Sequence, residues 1–217
     1  LLTFVEHLRT IQQSPLTIRR YGDILKELDA AVSGASPASI SRAALQRFAS
    51  CPRTDGRSRS PAGVNLRVAV LRAAWKFFVA EGLTSTNPAA ELVSVPEPRR
   101  IPKFLTSAEV RRLVDHAATR RGALAARNVG LLICFWQTAL RVSEVASITV
   151  GQLDHEAKLL RDVRVKGGHV LDVALSDETL SVLVRYLRER GVPAKSAALF
   201  ARADGERLSV RAIQAIF

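Results

Sequence analysis

The sequence predicts a mainly helical protein of two domains with one small antiparallel sheet, and three observations point to it. Apolar residues recur at helical spacing over most of the chain. A strap containing Pro96, Pro98 and Pro102 interrupts them near the middle. Alternation of period two is confined to the stretch between Leu159 and Leu175. The expected division is 1–93 for a helical N-terminal domain, 94–103 for a basic, proline-rich linker and 104–217 for a second domain. Three prolines so close together favour an extended, semi-rigid strap.

In the first domain, Ser14-Pro15 opens a helix running to about Val32, with Ile18, Tyr21, Leu25 and Leu28 on one face and Arg19, Arg20 and Lys26 away from it. Pro37 begins a short helix through Leu45 and Phe48. The turn-rich segment from Ser50 to Pro61 reads as a loop carrying Arg53, Arg57 and Arg59. From Val64 to Ala80 the pattern is helical again, with Val64, Leu71, Trp75 and Phe78 facing a core. Asn65, Ala69, Arg72 and Lys76 fall on the other side, where small and basic residues suit a phosphate backbone. A solvated face that happens to be basic fits the same pattern. Asn87-Pro88 reads as a helical turn.

In the second domain, Thr106-Ser-Ala-Glu109 is a capping box that starts a helix. Another helix covers roughly Gly122 to Gln137, and after a brief break one begins near Arg141 and ends near Ile148. Leu159–Val165 and His169–Leu175 alternate, with Gly167-Gly168 between them as a two-residue hairpin turn and Lys166 just before it. Ser176 caps a helix to about Arg190. Ala198–Phe200 forms a short strand, and Ser209 caps a last helix.

Composition bounds the partners. The chain has 217 residues, 47% of them hydrophobic, and a formal charge of +12. The excess is spread over both halves, so it belongs to a folded surface and suggests a polyanion, most often nucleic acid. Cys51 and Cys134 lack the spacing of a zinc site or a disulfide scaffold. The four histidines show no metal-ligand spacing. No phosphate-binding glycine loop and no nucleophile elbow is present. No stretch reads as a signal peptide, and the longest apolar run, Val129 to Trp136, is too short to span a bilayer, so a cytoplasmic setting and no membrane partner are expected. The chain contains no methionine, so a fragment or trimmed chain is expected.

The stretch Thr138-Ala-Leu-Arg141-Val-Ser-Glu144 follows the apolar run directly. Taken alone, it reads as an amphipathic helix with an i, i+3 ion pair. A guanidinium at a helix start can also grip two phosphate oxygens and stabilise a phosphorane-like transition state. The Lys166 ammonium, carried on a hairpin tip, can give a proton to a leaving alkoxide.

Taken in order, these pieces resemble the tyrosine recombinases, the phage-integrase and Xer-like site-specific recombinase family. Ser14-Pro-Leu-Thr17-Ile-Arg-Arg-Tyr21 is similar to the family's first DNA-clasping helix. Asn65 through Phe78, with Glu81-Gly-Leu and Asn87-Pro88, is similar to its core-binding helix and exit. Ile101-Pro-Lys-Phe-Leu105-Thr-Ser-Ala-Glu109 resembles the start of its catalytic domain. Thr138–Glu144 resembles the first catalytic-arginine box, where most members have glycine in place of Ala139, and Val165-Lys-Gly-Gly168 the hairpin with the catalytic lysine.

The resemblance implies a SAM-like core-binding domain and a mostly helical catalytic domain, incomplete at its C-terminus. It implies that Arg141 binds the scissile phosphate, Glu144 supports it and Lys166 protonates the leaving 5′-oxygen, with no cofactor and no metal. DNA contacts are expected from Thr17, Arg19, Arg20, Asn65, Arg72, Lys76, Arg99, Arg100, Lys103, Ser209 and Arg211. The expected partner is a double-stranded DNA site, bound by a homo-tetramer of the full-length protein in a bacterial, nucleoid-associated setting. The family's His-x-x-Arg box, a further His or Trp, and its nucleophilic tyrosine have no counterpart here. Tyr21 and Tyr186 are the only tyrosines, and neither matches the nucleophile. The chain is then expected to bind DNA without cleaving it. A non-catalytic DNA-binding or architectural protein of the same fold is the alternative. An RNA-binding helical protein is a poorer fit, because no aromatic stacking platform is evident.

Overall fold

The computed structural model describes residues 2–98, 101–119 and 122–216. The chain forms two compact units, Leu1–Ile101 and Pro102–Phe217.

The first unit contains α1 (Leu2–Thr10), α2 (Pro15–Ala31), α3 (Arg42–Ser50) and α4 (Pro61–Ala80). Serine hydroxyls start three of them by accepting otherwise unpaired backbone N–H groups. Ser14 takes the N–H of Thr17, Ser41 that of Ala44 and Ser60 that of Gly63, at 3.1–3.2 Å. Proline at the first position of α2 and α4 reinforces the start. Leu28, Leu45, Leu71, Trp75 and Phe78 are the centre of the core.

Two features differ from the sequence expectation. Helix α1 has no sequence counterpart; Phe4 and Leu8, one turn apart, bury themselves in the core, and Phe4 packs against Phe77 and Phe78. The helix expected from Pro37 through Phe48 is broken: Pro37–Ser39 is a 3-10 turn, Ile40 is buried in extended backbone, and Ser41 restarts the chain as α3.

The second unit contains α5 (Ser107–Ala118), α6 (Ala123–Thr138), α7 (Val142–Ser147), β1 (Leu153–Asp154), β2 (Leu159–Arg164), β3 (Val170–Ala174), α8 (Asp177–Arg190) and α9 (Val210–Ile216). The sheet is antiparallel in the order β1-β2-β3. Leu131, Cys134, Val145, Leu160, Leu183, Tyr186 and Phe200 form its core. A Cβ at Gly130 would lie 3.4 Å from Leu183 on α8 and from Phe200, so this face of α6 packs directly against both.

The second unit also departs from the sequence expectation in two places. The short strand expected at Ala198–Phe200 is reduced to isolated bridges, Thr149 with Ala198 and Ala201 with Arg207. Arginine side chains take the ladder's carbonyls instead: Arg190 bonds Ala198 and Leu199, and Arg127 bonds Ala201. The hairpin turn is a three-residue loop. Val165 donates to His169 at 2.9 Å and Gly168 to Val165 at 3.2 Å, so Lys166 lies inside the loop and not before it. Gly167 and Gly168 have φ of 92° and 79°, which glycine adopts without a Cβ penalty.

No helix among the described residues is long and apolar enough to cross a membrane.

Candidate active site

Helix α6 ends at Ala139, which takes the left-handed conformation with φ 52°. The reversal points the chain into Arg141, the N-cap of α7. Arg141 cannot cap with its own side chain, and Glu144 does so from inside the helix. Its Oε2 accepts the Arg141 backbone N–H at 2.7 Å, and its Oε1 accepts from the Arg141 guanidinium at 3.0 Å. A carboxylate in the first turn also faces the positive end of the helix.

The same Oε1 accepts the backbone N–H of Lys166 at 2.9 Å, across from the β2–β3 loop. One buried carboxylate therefore joins the arginine box to the lysine hairpin. Burial alone would push the Glu144 pKa up. The N–H groups of Arg141 and Lys166 and the Arg141 guanidinium outweigh it, holding the carboxyl ionised below its ordinary value. The guanidinium itself stays largely open to solvent, with 62% of its side chain exposed against 6% for Glu144. Lys166 is exposed too. The result is two cationic groups presented outward from an anchored base, an arrangement suited to an oxyanion.

Residues 103–217 match the model of the Phage integrase family. Over 216 residues the chain is 32% identical to the tyrosine recombinase XerC of Shewanella amazonensis, covering 98% of this chain and 71% of that protein. The chain belongs to the tyrosine recombinase, or phage integrase, family. XerC of Pseudomonas aeruginosa (strain LESB58) is 31% identical over 217 residues, covering 97% of this chain and 70% of that one. Two solved structures share the fold. Lambda integrase (75–356), as a dimer bound to a COC′ core site, aligns with a TM-score of 0.74 at 16% identity, over 99% of this chain and 73% of that one. The Tn1549 transposon integrase, in complex with circular intermediate DNA, aligns at 0.73 and 17%, over 95% and 72%.

The other residues singled out in this recombinase-family chain fall into separate groups. In the first unit, Arg19 and Arg20 are exposed on α2, Arg19 within 4.0 Å of Asp23, while the Thr17 hydroxyl pairs with Ser14 at 2.7 Å. Lys76 is exposed on α4. The Asn65 amide is taken up by the strap: it accepts from the Val95 N–H at 2.8 Å and donates to the Val95 carbonyl and to Glu97. Arg72 donates to the Leu92 carbonyl at 2.5 Å. Arg99 and Arg100 lie outside the described residues. In the second unit Lys103 and Arg211 are exposed, and Ser209 accepts the Ala212 N–H at 3.1 Å as a helix cap.

Several residues with clear roles had no signal in the sequence. Gln46 grips Val93 as Asn65 grips Val95, accepting from its N–H at 2.8 Å and donating to its carbonyl at 3.2 Å. Arg67 is buried, donating to Glu27, to the Phe48 carbonyl at 2.6 Å and to Cys51 Sγ at 3.0 Å. Gln152 bonds the irregular part of β2. Amides and arginines read equally well as surface residues until their partners are known. Among the described residues, no three His, Cys, Asp or Glu side chains gather where they could hold a metal ion.

Proposed function

We propose that this chain is the DNA-binding and phosphate-gripping part of a site-specific recombinase that cuts and rejoins DNA through a phosphotyrosyl intermediate. The observation that carries the reading is the double hold of Glu144 on Arg141 and on Lys166. Arg141 binds the scissile phosphate and offsets charge as the pentacoordinate transition state forms. Lys166, on its glycine loop, gives a proton to the departing 5′-oxygen. Residues 1–93 act as the core-binding domain, 94–103 as a linker and 104–217 as part of the catalytic domain, both domains contacting one duplex. Assembly of four copies of the full-length protein on DNA, in the bacterial cytoplasm at the nucleoid, belongs to the same reading.

The nucleophile is a tyrosine outside these 217 residues. Tyr186 is buried, its hydroxyl accepts the Ala201 N–H at 3.2 Å and its ring stacks on Phe200. Tyr21 sits in the first unit against Phe4. The chain therefore binds duplex DNA and does not cleave it. Incubation with a nicked suicide substrate, followed by denaturing electrophoresis, tests this: a protein–DNA adduct formed by these residues alone overturns it. In the full-length protein, Arg141→Ala abolishes strand cleavage while weakening DNA binding by about 1–3 kcal/mol, the worth of one charged hydrogen-bonding partner. Wild-type cleavage by that variant would remove Arg141 from the site.

A further inference from the structure

The register of the β2–β3 hairpin shows how Lys166 comes to its place. Leu159 and Leu160 pair one to one with Ala174 and Val173, and Val163 and Arg164 pair one to one with Leu171 and Val170. Between them Arg161 and Asp162 together oppose Asp172 alone. The extra residue is a β-bulge, and Asp162 sits in it with φ 51°. Residues three apart on a regular strand point to opposite faces. Leu160 and Val163 are nevertheless both buried, at 0% and 1% exposure. The bulge inverts the alternation between them and sets which face the loop beyond presents. Without it Val163 would turn outward, and the loop would meet Glu144 in the wrong phase.

The bulge is held by side chains. Gln152 Nε2 donates to the carbonyls of Arg161 and Asp162, both at 2.9 Å, while its Oε1 accepts the Thr149 N–H at 2.9 Å. Asp172 accepts the Asp162 N–H at 3.0 Å and the Arg161 guanidinium at 2.8 Å, and Arg161 Nε donates to Asp154 at 3.1 Å. Thr149 lies just beyond the C-terminal end of α7, whose first turn carries Arg141 and Glu144. The hydrogen bonds thus close a circuit from Arg141 along α7 to Gln152, through the bulge and hairpin to Lys166, and back to Glu144.

We propose that Gln152 and Asp172 are positioning residues for proton delivery: by clamping the bulge they hold Lys166 in phase with Arg141. The proposal rests on Lys166 being the proton donor. In the transfer, the P–O5′ bond breaks as the tyrosine's phenolate oxygen bonds to phosphorus, and the leaving oxygen takes the ammonium proton. A bridging sulfur in place of that oxygen leaves as a stable thiolate and needs no proton. A misplaced donor therefore slows only the oxygen substrate.

The test uses the full-length protein in single-turnover cleavage of a nicked duplex carrying either 5′-oxygen or 5′-bridging sulfur at the scissile position. Gln152→Glu, which sets a carboxylate oxygen against two carbonyls in nearly the same volume, and Asp172→Asn are compared with wild type. Each is expected to slow the oxygen substrate by about 10²-fold, the usual consequence of a displacement near 1 Å, and to cleave the sulfur substrate at close to the wild-type rate. Equal loss on both substrates, or no loss on either, overturns the proposal. Amide hydrogen exchange supplies a readout independent of activity: the Lys166 amide exchanges faster in Gln152→Glu while α6 amides keep their protection. Unchanged exchange at Lys166 also overturns the proposal. Lys166→Ala is the control for the reading beneath it. If it cleaves the oxygen substrate normally, Lys166 is not the donor, and amide exchange still decides whether Gln152 holds the hairpin.

Discussion

Glu144 accepts the backbone N–H of Lys166 at 2.9 Å and, through the same oxygen, the guanidinium of Arg141 at 3.0 Å. The two cations that would act on a phosphate are therefore referenced to one atom, not to two independent elements. Holding a side chain by its neighbour's packing and hydrogen bonds is what gives a site its geometry before substrate arrives. Glu144 is well suited to this because it is buried, ionised and already committed to the helix start.

Glu144→Gln should break the arrangement with almost no change in volume. Three N–H donors converge on two carboxylate oxygens, and an amide can offer only one acceptor atom. Whichever way the amide turns, its NH₂ faces a donor. The expected cost is about 1–3 kcal/mol of stability, the penalty for buried groups left unpaired. It should come with faster exchange at the Arg141 amide or the Lys166 amide, whichever the NH₂ faces. Denaturant unfolding and amide exchange measure the two effects, and unchanged exchange at both amides would contradict the shared anchor.

The pH dependence follows from the same carboxyl. Its folded pKa lies below the ordinary value, because the Arg141 and Lys166 donors outweigh the upward push of burial. A lowered folded pKa means that the stabilisation is complete above the ordinary carboxylate value, about 4.3. It is lost as pH falls from there through the lowered folded value. Asp172, at the bulge, is shifted the same way by the Asp162 N–H and the Arg161 guanidinium. Subtracting the stability profile of Glu144→Gln from that of wild type isolates the Glu144 part. The difference should be flat from pH 6 upward and should shrink on acidification below about pH 4.3.

What the sequence shows well is what is settled within a turn of helix. The caps at Ser14, Thr106 and Ser176 are local chemistry, and the structure has all three. The Arg141–Glu144 pair is likewise three residues long. The contact that completes the site spans 22 residues and depends on a bulge that exists only once β2 meets β3. Helix α1 is marked by the burial of Phe4 and Leu8, which depends on distant parts of the chain. Charge misleads for a similar reason. Arg67, Arg127, Arg190 and Arg207 are turned onto main-chain carbonyls, so the formal excess overstates the cation available to a polyanion.

The basic face of α4 separates into two roles that a salt titration can distinguish. Lys76 is exposed, and as a phosphate contact its replacement by alanine should reduce the slope of log affinity against log salt by about 1. Asn65 holds the strap by both amide atoms, so Asn65→Ala should leave that slope unchanged and speed proteolysis between Leu92 and Pro98. If Asn65→Ala weakens duplex binding without loosening the strap, its amide contacts DNA after all.

Ala139 offers a stabilising substitution next to the site. Its φ of 52° lies in the left-handed region, which costs an L-residue with a Cβ about 1–2 kcal/mol. Glycine removes that strain, but its freer unfolded chain returns about 0.5–1 kcal/mol of the gain. Ala139→Gly should therefore stabilise the second unit by about 0.5–1 kcal/mol, read as a higher denaturant midpoint at unchanged slope. The Glu144 hydrogen bonds to Arg141 and Lys166 lie beyond the substituted residue, so amide protection at both should persist. A lower midpoint would mean that the Ala139 methyl contributes packing worth more than the strain it carries.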